Sequence, residues 1–202
     1  MPIILEKKGA QHHIQLQKDD TQGAIVIQLR WSNTAPVDLD LGCYYELRNG
    51  KRKLIDALQF ANGEGGPKDR VTKQGCYNNP PYVWHTGDDR GDNNASQETI
   101  IVNAKGLALI RRIIVYAYIY EGVAQWNLTD AVVNVTVPQQ NTVTVKMGET
   151  NDKRRFCAIA QLDFDIHNAI TVKRLVSFHD SHSGADIQYG WGFKYQQTHK
   201  NS

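Results

Sequence analysis

Apolar and polar residues alternate along much of this chain with the period of a β-strand rather than of a helix. From Ala24 to Trp31, Ile25, Ile27, Leu29 and Trp31 fall on one face while Gln28 and Arg30 fall on the other. Two further runs, Leu39 to Leu47 and Lys53 to Leu58, flank Asn49-Gly50, a dipeptide that favours the left-handed conformations of a tight hairpin turn. These two strands are expected to pair. Glu98 to Asn103, Arg112 to Tyr120, Val132 to Val137, Thr142 to Met147, Phe156 to Phe164 and Ile170 to Phe178 combine β-branched, aromatic and alternating residues, and a last strand is read at Gly192 to Tyr195. Only Ala104 to Ile110 offers a short helical turn, because Gly106 interrupts it and no capping box opens it.

Strands of this number, separated by Gly, Pro, Asn and Asp clusters, suit two antiparallel sheets packed face to face, so the expected fold is an all-β sandwich with one or two short helical turns. Residues 61–97 are the exception. That stretch is rich in Gly and Pro, has almost no periodicity, and is read as a long functional loop. No internal repeat of fixed period is present.

The 202 residues fit one large all-β domain, expected over 1–202, and 41% hydrophobic with 22% charged residues is enough apolar material for a core without disulfide staples. The net charge of +2, from 23 basic and 21 acidic side chains, provides no overall field to recruit a phosphate backbone, so nucleic acid is not an expected partner. The run Lys51-Arg52-Lys53 lies beside the Asn-Gly turn and reads as a solvated hairpin tip. Cys43, Cys76 and Cys157 are widely spaced and form no C-x-x-C pair, which argues for a reducing compartment and against a disulfide framework or zinc ribbon. The opening residues turn polar too early for a signal peptide, and no segment is apolar for long enough to span a bilayer. A cytoplasmic location is expected.

The chemistry concentrates in acidic residues. In Val37-Asp38-Leu39-Asp40-Leu41, alternation places Asp38 and Asp40 on one side of a strand entry while Leu39 and Leu41 face the core. The second cluster, His85 to Glu98, contains Asp88, Asp89, Asp92, Asn93 and Asn94 among glycines. Oxygen is its dominant donor, as a hard cation such as Ca²⁺ requires; Mg²⁺ is less suited to so many protein oxygens. The stretch is not an EF-hand, because counting from Asp88 the sixth position is Asn93 rather than Gly and the only Glu is the eleventh. Turn preference alone also explains Asp and Asn in a loop, with Arg90 neutralising a neighbour, so both readings stand.

Other chemistry is weaker. His179-Asp180-Ser181-His182 has the residue types of a hydrolytic triad, but neighbours on an extended chain point to opposite sides and form no relay. Two histidines without a third ligand make no typical zinc site, and His12 and His13 read the same way. Trp84 beside Tyr82 suggests either a carbohydrate platform or an anchor for the long loop. No catalytic residue is assigned, and no enzymatic activity is expected.

Through Val37-Asp38-Leu39-Asp40, Gly87-Asp88-Asp89-Arg90 and Glu98 the chain resembles the TerD-type domain family of tellurium-resistance and stress proteins, over about Leu5 to Tyr195. Ile119 to Trp126 and Tyr189-Gly190-Trp191-Gly192-Phe193 are similar to the TerA branch. The resemblance implies a cytoplasmic, non-enzymatic β-sandwich that binds one or two Ca²⁺ ions between the Asp-Leu-Asp segment and the Gly-Asp-Asp loop, with a role in the stress response. It assigns Asp38, Asp40, Asp88, Asp89, Asp92 and Glu98 to the metal. It also suggests association with other stress-response proteins of the same system, near the membrane face; oligomeric state is left open. Between Asp92 and Glu98 the acidic run of TerD is replaced by Asn93, Asn94, Ala95, Ser96 and Gln97, which implies weaker cation attraction. Two rival readings are an ion-independent sandwich that recognises protein or carbohydrate through loop 61–97, and thiol-dependent reduction of tellurite by the cysteines. For the latter, Cys43 and Cys157 are expected inside apolar strands and Cys76 in the exposed loop.

Overall fold

A computed structural model describes residues 1–16, 23–32, 37–55, 74–87, 95–122, 124–147 and 150–195. Among these the strands are β1 (Ile3–Leu5), β2 (Gln11–Gln15), β3 (Ala24–Ser32), β4 (Asp38–Leu47), β5 (Arg52–Ile55), β6 (Val83–His85), β7 (Ala95–Asn103), β8 (Ile110–Glu121), β9 (Val132–Thr136), β10 (Val143–Lys146), β11 (Phe156–Phe164) and β12 (Ala169–His179). One helix, α1 (His182–Tyr189), follows, and single 3-10 turns occur at Ala104–Gly106 and Trp126–Leu128. The first sheet has the order β1-β10-β9-β3-β7-β6 and the second β2-β12-β11-β8-β4-β5. All pairs are antiparallel except β1 with β10, which runs parallel at the edge. The molecule is a β-sandwich.

Alternation decides which side chains meet between the sheets. Ile25, Ile27, Leu29 and Trp31 of β3 and Val133 and Val135 of β9 face Leu39, Leu41, Ile113, Val115, Cys157 and Ile159 in one buried cluster. β3 and β9 are fully buried on that face only. β4, β8 and β11 are buried on both faces for much of their length. Their outer side chains, including Tyr44, Ile114, Tyr116, Phe156 and Ala158, form a second cluster with Ala185 of α1 and with Trp191. A third layer thus covers the centre of the second sheet.

The strands read from the pattern are present with small shifts in their ends. The β4–β5 hairpin pairs Cys43 with Ile55 and Glu46 with Arg52, and Gly50 takes the left-handed φ of 81° that its turn demands. The strand expected to reach Leu58 is described as far as Ile55; residues 56–58 lie outside the described residues. Three short edge strands, β1, β2 and β6, escaped the pattern because three residues, or the mostly polar Gln11-His12-His13-Ile14-Gln15, show too little alternation. Of the long loop 61–97, residues 83–85 and 95–97 are strand, and 61–73 and 88–94 lie outside the described residues.

Gly192 to Tyr195 is not a strand. Trp191, Phe193 and Tyr195 do alternate, but they stack on Tyr44 and on one another instead of joining a ladder, with Trp191 and Phe193 ring centroids 5.4 and 6.1 Å from that of Tyr44. The buried Asp186 carboxylate fixes this strap by accepting from the backbone N–H groups of Gly192 (2.6 Å) and Phe193 (2.9 Å) and from the Tyr195 hydroxyl (2.8 Å). α1 itself was missed because Gly184 interrupts it and Ser181 makes no side-chain capping bond.

Gly42 shows how closely this outer layer is fitted. A Cβ at that position would lie 2.2 Å from Cζ of Tyr116, whose ring crosses β4 there. Gly42→Ala is therefore expected to lower stability by about 2 kcal/mol, the usual cost of overpacking a rigid core. In urea unfolding, adding Tyr116→Ala to the variant should cost less than the two separate losses summed; strict additivity would show that the ring is not what excludes the methyl group.

Candidate metal centre

β8 pairs with β4 along its length, and β5, described as far as Ile55, pairs with its Cys43–Glu46 part on the other side. Glu98 of β7 reaches β4 from the opposite sheet. Its Oε2 accepts a 2.5 Å hydrogen bond from the backbone N–H of Leu41, within the peptide group that joins Asp40 to Leu41.

Glu98 stands on the inner face of the first sheet, opposite Leu29 in the β3 ladder, and is 1% exposed. A carboxylate so placed loses its hydration and must be compensated by donors. Leu41 N–H is one. The second neighbour is His85 of β6, also fully buried, whose Nε2 lies 3.6 Å from Glu98 Oε2. Gly87 N–H donates to His85 Nδ1 at 3.0 Å, so Nδ1 is an acceptor and the ring proton sits on Nε2, toward the carboxylate. Gln74 holds His85 in turn, by a side-chain bond to its carbonyl (2.9 Å) and by its own carbonyl accepting His85 N–H (2.9 Å).

These contacts close the base of the segment that carries the second acidic motif. β6 and β7 pair antiparallel at His85 and Ile100, and Thr86 N–H bonds Thr99 C=O at 2.9 Å. Residues 88–94 connect this base from Gly87 to Ala95. Asp88, Asp89 and Asp92 lie outside the described residues. His85 and Gln74 were missed in the sequence; a histidine immediately before a Thr-Gly-Asp-Asp loop is the one local signal that marked the position.

On β4, Asp38 is half-buried and Asp40 is 1% exposed. Leu39 and Leu41 do face the core, as expected. Asp40 takes the other face of the strand, the one that also carries Tyr44, while Glu98 approaches from the inner side. The two carboxylates therefore flank one peptide group rather than share one face. Asp38 pairs with Glu121 at a register irregularity, and that end of β8 is fixed by Arg155, whose guanidinium donates to the carbonyls of Ile119, Tyr120 and Gly122, each at 3.0 Å. Among the described residues no group of three or more His, Cys, Asp or Glu side chains is placed to hold a metal. In kind, the carboxylate oxygens of Asp38, Asp40 and Glu98 suit a hard cation; in number, they need the acids of 88–94 to complete a shell.

The cysteines give no second site. Cys43, Cys76 and Cys157 are all buried and form no disulfide, which corrects the exposed position expected for Cys76. Burial pushes the Cys157 thiol well above its usual range, away from the reactive thiolate. Trp84 is half-buried in β6, paired with Ile101 and bridged to Gly75.

The chain is 33% identical to the tellurium resistance protein TerA of an Alcaligenes species, across 93% of its own length and 56% of the relative's. It thus spans a little over half of that protein. A homologue of the telluride resistance protein TerD from Streptomyces coelicolor A3(2) has the same fold, with a TM-score of 0.50 at 14% identity, covering 78% of this chain and 90% of the other. The chain resembles the TerD-type tellurium-resistance proteins. The crystal structure of a protein of unknown function, SAV2460, superposes with a TM-score of 0.55 at 12% identity, over 85% of this chain and 98% of that one. No family model matches the chain.

The Glu98 carboxylate joins the two sheets at the Asp40–Leu41 peptide of β4. Glu98→Ala would leave Leu41 N–H buried without its acceptor and is expected to cost about 2 kcal/mol, the range for a hydrogen bond to a charged group. Glu98→Gln keeps an acceptor oxygen and should cost less. Chemical unfolding with chelator present checks both values free of any ion contribution.

Proposed function

We propose that this protein is a non-enzymatic, Ca²⁺-binding stress-response protein of the cytoplasm, in which the ion draws the 88–94 segment toward the start of β4. The observation that carries the reading is the Glu98–Leu41 bond, which ties β7, the strand that follows the acidic segment, to β4 at the peptide next to Asp40. Asp38, Asp40 and Glu98 would supply carboxylate oxygens from the strands, and Asp88, Asp89 and Asp92 the remainder from the segment. A divalent cation would offset the repulsion of like charges brought together there. The resemblance supports a role in resistance to tellurium compounds, and other proteins of the same stress system are the proposed partners. No helix of the described residues is long and apolar enough to cross a membrane. Peripheral association with a membrane face is part of the proposal.

A ligand that binds only the folded protein raises its unfolding transition, by about 2.7 kcal/mol at a concentration one hundred times Kd. Thermal unfolding with Ca²⁺ is therefore expected to shift upward relative to chelator, and to shift less with Mg²⁺. Asp40→Asn and Asp88→Asn should each reduce the Ca²⁺ shift. Superimposable curves with Ca²⁺ and chelator would remove the ion from the reading, and a full shift in the double variant would place the ligands elsewhere.

A further inference from the structure

The cover on the outer face of the second sheet is built as one unit. α1 buries Ala185 and Asp186, and the Asp186 carboxylate ties helix and strap together through three hydrogen bonds. The cover meets the sheet through Ala185, the rings of Trp191 and Phe193 on Tyr44, the His182 ring 4.9 to 5.4 Å from those of Phe156, Tyr116 and Tyr118, the Tyr44 hydroxyl donating to His182 C=O at 3.0 Å, and Arg52 donating to Gly190 C=O at 2.8 Å. Beneath them lie Tyr44, Tyr116 and Phe156, whose rings pack at 4.6 to 6.4 Å.

At the point where β12 ends and α1 begins, His179 is wedged under this cover. It is 8% exposed and touches Phe156 on one side and Tyr189 of α1 on the other, each at 6.1 Å between ring centroids. Its Nε2 lies 2.7 Å from Ser177 Oγ, which also reaches Gln188 Oε1 of α1 at 3.5 Å. We propose that α1 and the strap 191–195 form an acid-released cover, hinged at Asp180–Ser181 and opened by protonation of His179, which uncovers the aromatic face of Tyr44, Tyr116 and Phe156.

The charged and titratable groups around the imidazole are Asp152 and Arg154 from the 150–155 segment, Asp180 beside it, and Tyr189 and His182 on α1. Burial first, and then Arg154, hold the imidazole below its ordinary value, while Asp180 and Asp152 act in the opposite sense. Arg154 is itself engaged by Asp152 in a two-pronged contact at 3.0 and 2.6 Å. Burial raises Tyr189, so it stays neutral throughout the acid range. With the covered value depressed, the open form binds the proton more readily. The cover is fully favoured above the ordinary histidine value and loses stability as pH falls from there toward the depressed value.

Hydrogen-exchange protection factors, followed from about pH 7.5 to about pH 5 with chelator present, test this without reference to the ion site. Protection of residues 182–195 is expected to fall, relative to β8, by up to about tenfold per pH unit below about 6.5. His179→Gln should flatten that dependence, and His182→Gln should leave it in place. Should the glutamine variant not fold, Arg154→Gln serves instead; by bringing the covered value toward the ordinary one it should make the loss of protection smaller. Flat protection in the unaltered protein, an unchanged slope in His179→Gln, a slope abolished by His182→Gln, or an undiminished loss in Arg154→Gln would each overturn the proposal.

Discussion

Strands β4, β8 and β11 carry apolar side chains on both faces, and a sheet of that kind requires cover on both sides. The first sheet supplies one cover through the Ile, Leu and Val rows of β3, β7, β9 and β10. α1 and the aromatic strap supply the other. A two-layer sandwich would leave Tyr44, Ile114, Tyr116 and Phe156 in water, with each fully exposed large side chain forgoing about 1.5–3 kcal/mol of burial. The short helix, poor in helix signals of its own, is thus held in place by the sheet it covers. The same demand explains Gly42, the one residue of β4 with no side chain, over which the Tyr116 ring passes.

One polar contact between the sheets follows a different logic. At the Asp40–Leu41 peptide β4 offers a backbone N–H that apolar packing cannot satisfy, and the first sheet answers with a carboxylate, Glu98, placed in a row with Ser96, Ile100 and Val102. A buried charge of this kind stabilises little by itself against an apolar alternative, but its removal leaves partners uncompensated. It specifies the register in which β7 lies over β4. Packing and polarity in this way divide the work: the apolar rows hold the sheets together, and one polar contact fixes their register.

The pattern of the sequence was sufficient wherever one face of a long strand is buried. β3, β4, β8, β11 and β12 were legible because five or more alternating or β-branched positions make the period plain. Where burial comes from tertiary context, local pattern misled. The alternation of Trp191, Phe193 and Tyr195 is real, but it arises from stacking on Tyr44 and from Asp186, not from a ladder. Of the acidic residues, Asp40 and Glu98 could be read as chemically meaningful, but not the fact that they stand on opposite sides of a β4 peptide. That relation depends on how two sheets overlap, which no local spacing encodes. His85 was hidden for the same reason: a histidine before a turn is common, and only the fold shows it buried against a carboxylate.

The amide-rich stretch before Glu98 takes on a physical reason from the same geometry. Ala95, Ser96 and Gln97 belong to β7. Ser96 is buried opposite Trp31 of β3, on the same face as Glu98 two residues on. An acidic residue at position 96 would set a second carboxylate in an apolar environment next to the first, where neither desolvation nor like-charge repulsion is compensated. Gln97 is exposed on the opposite face and points away from β4. A neutral residue at position 96 is therefore a condition for the β7 ladder that pairs Ser96 with Trp31 and Ala95 with Ser32.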